Sequence, residues 1–383
     1  MRRVECLDGL RGIAALWVLF GHAMILTGFS LPIVGHPDLG VDLFILLSGF
    51  LMVFQYQLRR ETEDWAAPYT WVAFWTRRFF RIAPLFYLML AAALIFGPFI
   101  YENRVVIDTF LGRTPQNPAR YLDSGLKNIV MHLSFAFGLF PHYAYRTPLP
   151  DWSLGLEMQF YAVFPFLILL ARKAGWYSMV LLVAAAGIMM VGVMRWSGVS
   201  FPMPSFLPLK IQIFLCGMLI AADHRLGAAW LAARLGLAFL LAAIPIGGHQ
   251  DFVRLFMREL LVLIFFLLVH GRKLAMVGPV ASLLGGKFFH WLGELSFGVY
   301  LVHLLIMQPV AGWAIDRFGA GIGDFARFCL VVAIVVPAAY LTAFVTYNAL
   351  ELPGQRLGKS VLRYTIGSRT KAKQTHAEEI AAP

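Results

Sequence analysis

The chain has 383 residues, of which 60% are hydrophobic, 15% aromatic and only 14% charged, and its mean hydropathy is +0.72. Soluble domains carry about 25% charged residues, so this composition excludes a soluble globular protein and marks an integral membrane protein. The formal charge of +11 does not point to nucleic acid, because the basic residues lie in short loops between apolar stretches, where they set topology.

The N-terminal Met-Arg-Arg followed by an apolar run resembles a secretory signal. The run continues past His22 to about Phe29 with no small-residue cleavage site, so it reads as a retained first span. Within it Arg11 and His22 stand eleven residues apart. At roughly 100° per residue this is about three whole turns, which puts both side chains on one face with about 16 Å between them along the axis. Ionisable groups at membrane depth are costly and mark a functional site by default. The competing reading is a histidine that bonds to a neighbouring helix and holds the bundle together.

About 20 apolar residues are needed to cross a bilayer. Ten segments qualify, at 9–29, 39–58, 80–101, 152–171, 177–196, 206–222, 228–247, 254–270, 288–312 and 327–350. The expected fold is an all-α polytopic membrane helix bundle. Segment 128–140 is apolar but too short to cross, as in a re-entrant or interfacial piece. Residues 1–353 form the membrane domain, and 354–383 a basic, polar cytoplasmic tail whose end reads as disordered. With both termini cytoplasmic, 21 of the 32 Lys and Arg fall on the inner side, as the positive-inside rule requires. That asymmetry holds only if 128–140 does not cross, because Arg172 and Lys173 must face inward. Loops 101–127 and 141–151 are the longest between spans, with five prolines beside aromatic and basic residues; they either bind something or merely connect. Cys6, Cys216 and Cys329 show neither pairing nor metal-ligand spacing, so no disulfide and no zinc or other metal site is expected.

Further polar residues stand in the apolar stretches. Asp42 and Glu157 can orient a histidine, hold a substrate hydroxyl or neutralise a buried arginine. Arg78 and Arg81, three apart before the third span, project from one helix face and suit a phosphate, although arginines at cytoplasmic helix ends are also what topology alone produces. Trp152 opens a span in which Ser153, Glu157 and Tyr161 form a polar stripe at i, i+4 and i+8. Ser296, Tyr300 and His303 form a second stripe, and Glu351 closes the last span. Such stripes line a cavity or glue helices together, and His303 reads as structural or supporting. The glycine-rich, nucleophile-elbow and zinc-protease motifs are absent, which leaves His22 as the best-placed base.

Six segments in order resemble acyltransferase family 3, multi-span enzymes that acylate bacterial surface glycans and related acceptors. They are LDGLRGIAALWVLFGH, GVDLFILLSGFL, RRFFRIAPLFY, DWSLGLEMQFYAVFPFL, LGELSFGVYLVH and the closing Glu351-Leu352-Pro353. The resemblance implies a ten-span O-acyltransferase of the bacterial inner membrane, transferring groups other than aminoacyl groups. Its donor would be acyl-CoA, usually acetyl-CoA, and its acceptor a hydroxyl of a cell-surface or exported glycan. His22 would be the essential histidine, Arg11 its basic partner, Arg78 and Arg81 the paired arginines and Glu351 the C-terminal acid. Any task done in some members by an added hydrolase-like domain would fall to a separate extracytoplasmic partner enzyme or would not be needed. Two routes stay open: His22 as general base, or as a nucleophile that carries the acyl group. In either, Asp42 or Glu157 is the candidate to fix its tautomer. A transporter or flippase for a glycan or small anion is the alternative to an enzyme.

Overall fold

The computed structural model describes residues 6–222, 228–247 and 251–364. Arg2, Arg3, Arg225 and the tail beyond residue 364 lie outside the described residues. Among those described, the regular elements are all helices. The long ones are α1 (Cys6–Thr27), α2 (Pro37–Arg59), α3 (Pro68–Phe110), α6 (Trp152–Ala174), α7 (Trp176–Trp196), α10 (Phe252–His270), α12 (Lys287–Phe318) and α13 (Asp324–Thr346). Shorter helices are α4 (Ala119–Leu122), α5 (Leu126–Leu133), α8 (Ile211–Ala221), α9 (Ala228–Ala242) and α11 (Val277–Leu284).

All ten expected spans are helical, but seven helices among the described residues are long and apolar enough to cross a membrane unaided. The three that fall short are α8, α9 and α10. Pro208 lies within the expected segment 206–222, and the α-helix starts only after it, at Ile211. Its 11 residues rise about 16 Å, half a hydrocarbon core. In α10, Arg254, Arg258 and Glu259 interrupt the apolar run. The chain is a multi-pass helical bundle in which three shorter or more polar helices complete the interior.

Segment 128–140 does not cross. It forms the eight-residue α5 and a 3-10 turn, Ala136–Leu139. In α5, Leu126, Val130 and Leu133 are exposed while Asn128 and His132 are buried. That inversion of the usual soluble pattern fits a helix lying with its apolar side toward lipid.

The centre of the bundle is the pair α1 and α12, which run parallel and in register. Gly12 faces Gly293, and a side chain on Gly293 would come within 2.0 Å of the Asp8 carbonyl oxygen. Only glycine permits this backbone approach. His290 Nδ1 contacts Asp8 at 3.1 Å at one end of the pair, and His22 meets His303 further along, at nearly the same sequence offset. Beyond Glu351 the last helix continues to Tyr364, with Gly354 on Pro84 and Gly358 on Phe80 of α3. The first part of the expected tail is therefore packed helix.

Candidate active site

Two connected cavities lie at the end of the bundle where α1 begins, here the near end. A vestibule of about 190 Å³ is lined by Arg59, Arg77, Arg78, Arg81 and Lys359 together with Gln55 and Trp65. A narrower cavity of about 80 Å³ shares Met52, Gln55, Arg78 and Arg81 with it and runs inward past Arg11, Ser48 and Glu157 to Ser153 and Tyr300. Three arginines from two helices thus face one space. Among the described residues neither Arg11 nor Arg81 has an ion pair or hydrogen bond, and Arg78, buried between the rings of Phe74 and Tyr161, bonds only to the Gln55 amide oxygen. The carboxylate in that lining, Glu157, is already held by the Ser48 hydroxyl at 3.0 Å and by the Tyr161 hydroxyl. Guanidinium groups without a direct ion pair favour an anionic ligand, and their planar donors match phosphate.

Glu351 sits in a π-helical turn, Tyr347–Glu351, of the kind often found at functional sites. It is buried within the fields of Arg11 and Arg81, and its Oε1 has no hydrogen-bond partner.

At the inner end of the cavity Tyr300 joins α12 to α6. Its hydroxyl donates to the Pro150 carbonyl at 2.7 Å, so the 2.6 Å contact with Ser153 must be donated by the serine. The cavity stops at this pair. One turn further along α12 lies His303, its ring centre 6.0 Å from that of Tyr300. His22 and His303 do not line the cavity; they stand just behind its closed end.

The two imidazoles meet with His22 Nδ1 3.1 Å from His303 Nε2. Backbone carbonyls fix the protons. His303 Nδ1 lies 3.1 Å from Val299 O and His22 Nδ1 lies 2.9 Å from Val18 O. A carbonyl can only accept, so both Nδ1 atoms carry hydrogen in the neutral pair. The single Nδ1–H of His22 is then shared between the Val18 carbonyl and the lone pair of His303 Nε2, which leaves the lone pair of His22 on Nε2. That atom makes no hydrogen bond among the described residues, and His22 is only half-buried.

The carboxylates expected to set this tautomer are elsewhere. Asp42 is buried 168 residues away in sequence from its partner Lys210, whose Nζ donates to Oδ1 at 2.6 Å; Arg258 Nε donates to Oδ2 at 3.1 Å. Both oxygens are committed and neither reaches His22. Glu157 belongs to the arginine cavity. Ser296 donates back to the Gly293 carbonyl at 2.7 Å and does not line the cavity, while Trp152 faces a separate cavity at the far end. Ser153, Tyr161 and Tyr300 do line the cavity, as their stripes suggested.

Sequence reasoning passed over several residues. Ser48, Gln55, Arg59 and Lys359 complete the cavity and vestibule. Ser48 and Gln55 share the face of α2 at i and i+7, the signal that would have found them. A second buried cluster lies in the far-end loops, where His132 stacks on Phe137 with ring centres 4.4 Å apart and Asp151 accepts from the Thr147 hydroxyl at 2.6 Å. Burial raises the pKa of the Asp151 carboxyl, and nearby His132 opposes the rise.

The acyltransferase-domain profile matches residues 4–344. The peptidoglycan O-acetyltransferase OatA of Listeria monocytogenes is 27% identical over 44% of this chain and 25% of its own length. YrhL of Bacillus subtilis, which carries the provisional name peptidoglycan O-acetyltransferase, is 24% identical over 98% of this chain and 58% of its own. The acyltransferase MdmB of Streptomyces mycarofaciens is 26% identical over 92% and 93%. The chain thus spans between a quarter and three-fifths of the first two relatives. No solved structure matches it. With the family profile covering nearly all of its length, the chain belongs to the acyltransferase-domain family.

Proposed function

We propose that the protein is an O-acyltransferase of the bacterial inner membrane that moves an acetyl group from acetyl-CoA to a hydroxyl of an exported or cell-surface glycan. The observation that carries this reading is the convergence of Arg11, Arg78 and Arg81, without carboxylate partners, on a cavity that ends next to the His22–His303 pair. Both termini would be cytoplasmic, so the vestibule opens to the side that holds the donor. Two of the similar proteins are named for O-acetylation of peptidoglycan, which supports a glycan acceptor.

The parts divide the work by their chemistry. Arg59, Arg77 and Lys359 attract the donor to the vestibule, and Arg11, Arg78 and Arg81 hold its phosphates by charge-assisted hydrogen bonds. The uncharged thioester arm runs along the strip of Phe44, Leu47 and Leu51 that leads to Tyr300. Opening the Tyr300–Ser153 contact joins the cavity to the histidines. His22 Nε2 then removes the proton of the acceptor hydroxyl as that oxygen attacks the thioester carbonyl. The carbon–sulfur bond breaks, and the proton passes from His22 to the departing thiolate. His303 accepts from His22 Nδ1–H throughout and steadies the imidazolium.

The test uses purified protein with labelled acetyl-CoA and a membrane glycan fraction. Free CoA appears only when acceptor is present, and His22→Ala loses at least 100-fold in rate while still binding acetyl-CoA. Full activity in His22→Ala, or uptake of label without CoA release as in a transporter, overturns the proposal.

A further inference from the structure

The far end of the bundle carries a second, larger space. A cavity of about 490 Å³ lies between the starts of α2, α6 and α10 and the end of α7; Asp38, Trp152, Arg195, Lys210, Phe201 and Arg254 are among its walls. An adjoining cavity of about 260 Å³ is lined by Gln116, Asn117, Arg120, Tyr145 and Arg146, and the two share Pro202. Together they form a groove far wider than the acyl-donor cavity.

Three links connect the groove to the histidine pair. Trp152 faces it, while the next residue, Ser153, closes the donor cavity against Tyr300. Asp38 faces it, and its neighbour Pro37 packs on Gly21, the residue before His22. The guanidinium of Arg120 acts electrostatically on the His22 ring.

Its charge is lopsided. Five cationic side chains line the groove (Arg120, Arg146, Arg195, Lys210 and Arg254) against one carboxylate, Asp38. Arg254 and Lys210 are paired with Asp38 and Asp42, and Arg146 with Asp123. Arg120 bonds only to the Thr147 carbonyl and the Tyr145 hydroxyl, and Arg195 has no acidic partner among the described residues. Short loops on the outer side of a membrane are normally poor in Lys and Arg. An outer groove rich in both needs a reason that topology does not supply.

Resting on the acetyl-transfer reading above, we propose that this groove binds the acceptor and that the acceptor is an anionic oligosaccharide, one bearing carboxylate or phosphate groups. Trp152 and Phe201 offer ring faces to the sugars. Arg120 and Arg195 take the acidic groups, and the cavity volume admits several residues of a chain. The acceptor hydroxyl is thereby delivered to His22 from the side opposite the donor.

The experiment measures binding of length-matched oligosaccharides to the purified protein: a polyuronate, a phosphate-bearing glycan and a neutral glucan. The two anionic ligands should bind at least fivefold tighter than the neutral one, and the gap should shrink when salt is raised from 0.05 to 0.5 M, since the interaction is screened. Arg195→Glu should remove most of the preference and leave acetyl-CoA binding unchanged. A preference for the polyuronate alone, or for the phosphate-bearing glycan alone, identifies the acidic group. Equal binding of anionic and neutral chains, or a preference untouched by Arg195→Glu, overturns the proposal. Loss of acetyl-CoA binding in the unaltered protein would instead count against the parent reading.

Discussion

His303 Nε2, 3.1 Å from His22 Nδ1, shares that atom's proton with the Val18 carbonyl, in a place more often taken by a carboxylate. A neutral imidazole holds the tautomer without adding a buried negative charge beside His22. Replacing His303 by Ala should lower kcat roughly 10- to 100-fold, the scale seen when the partner of a functional histidine is lost, and leave KM for acetyl-CoA unchanged. His303→Gln, whose side-chain oxygen can accept the same proton, should recover much of the loss. Equal defects in both variants with normal melting temperature would rule out this positioning role.

The arginines should separate cleanly from the histidines in kinetics. Removing one charge-assisted contact costs about 1.5–3 kcal/mol. Arg81→Ala and Arg11→Ala should therefore raise KM for acetyl-CoA roughly 10- to 100-fold, with a smaller effect on kcat. Isothermal binding of acetyl-CoA checks this without turnover, and unaltered affinity in both variants would remove them from the donor site.

Asp42 should behave as a structural residue. Its carboxylate lies between Lys210 and Arg258, all three buried. Asp42→Asn leaves two interior cations short of their counter-charge, a loss of about 3–5 kcal/mol. The variant should melt well below the parent in detergent. Normal stability with abolished chemistry would return Asp42 to the catalytic machinery.

The approach of α1 to α12 depends on the missing side chains at Gly12 and Gly293. Gly293→Val forces a side chain onto the Asp8 carbonyl and should cost about 1–3 kcal/mol or more. Because the same two helices carry His22 and His303, kcat should fall even where the protein still accumulates. Cysteine cross-linking between the two helices, tested before and after the substitution, reads the change in spacing.

Asp151 gives a pH signature in the far-end loops. Burial raises its pKa above the ordinary 3.8, so the folded loop favours the protonated acid. Its stabilising contribution is complete below pH 3.8 and is lost as pH rises through the raised value. Asp151→Asn, which still accepts from Thr147, should flatten the fall in melting temperature as pH rises above 3.8. A large destabilisation at every pH would show instead that the charge itself is needed beside His132.

The sequence made part of this site legible for simple geometric reasons. Arg11 and His22 fall on one side of one helix, and Arg78 and Arg81 on one side of another, so spacing alone groups them. The partner of His22 was not legible. It lies 281 residues away, and nothing local distinguishes His303 from any histidine that glues two helices together. A carboxylate was the natural expectation, but a buried carboxylate has its own need for cations, and Asp42 meets it with Lys210 and Arg258. The shortness of one helix was likewise not legible: hydropathy summed over 206–222 ignores that Pro208 delays the α-helix until Ile211. Tyr300 and Ser153 were visible as members of polar stripes, whereas the closure they make at Pro150 is a tertiary contact.

The parallel pairing of α1 with α12 ties the histidine contact to the order in which the chain is made. His22 is synthesised 281 residues ahead of the His303 it meets. The two rings can touch only once the helices between them have been made, and a chain cut short before residue 303 keeps one imidazole without the other.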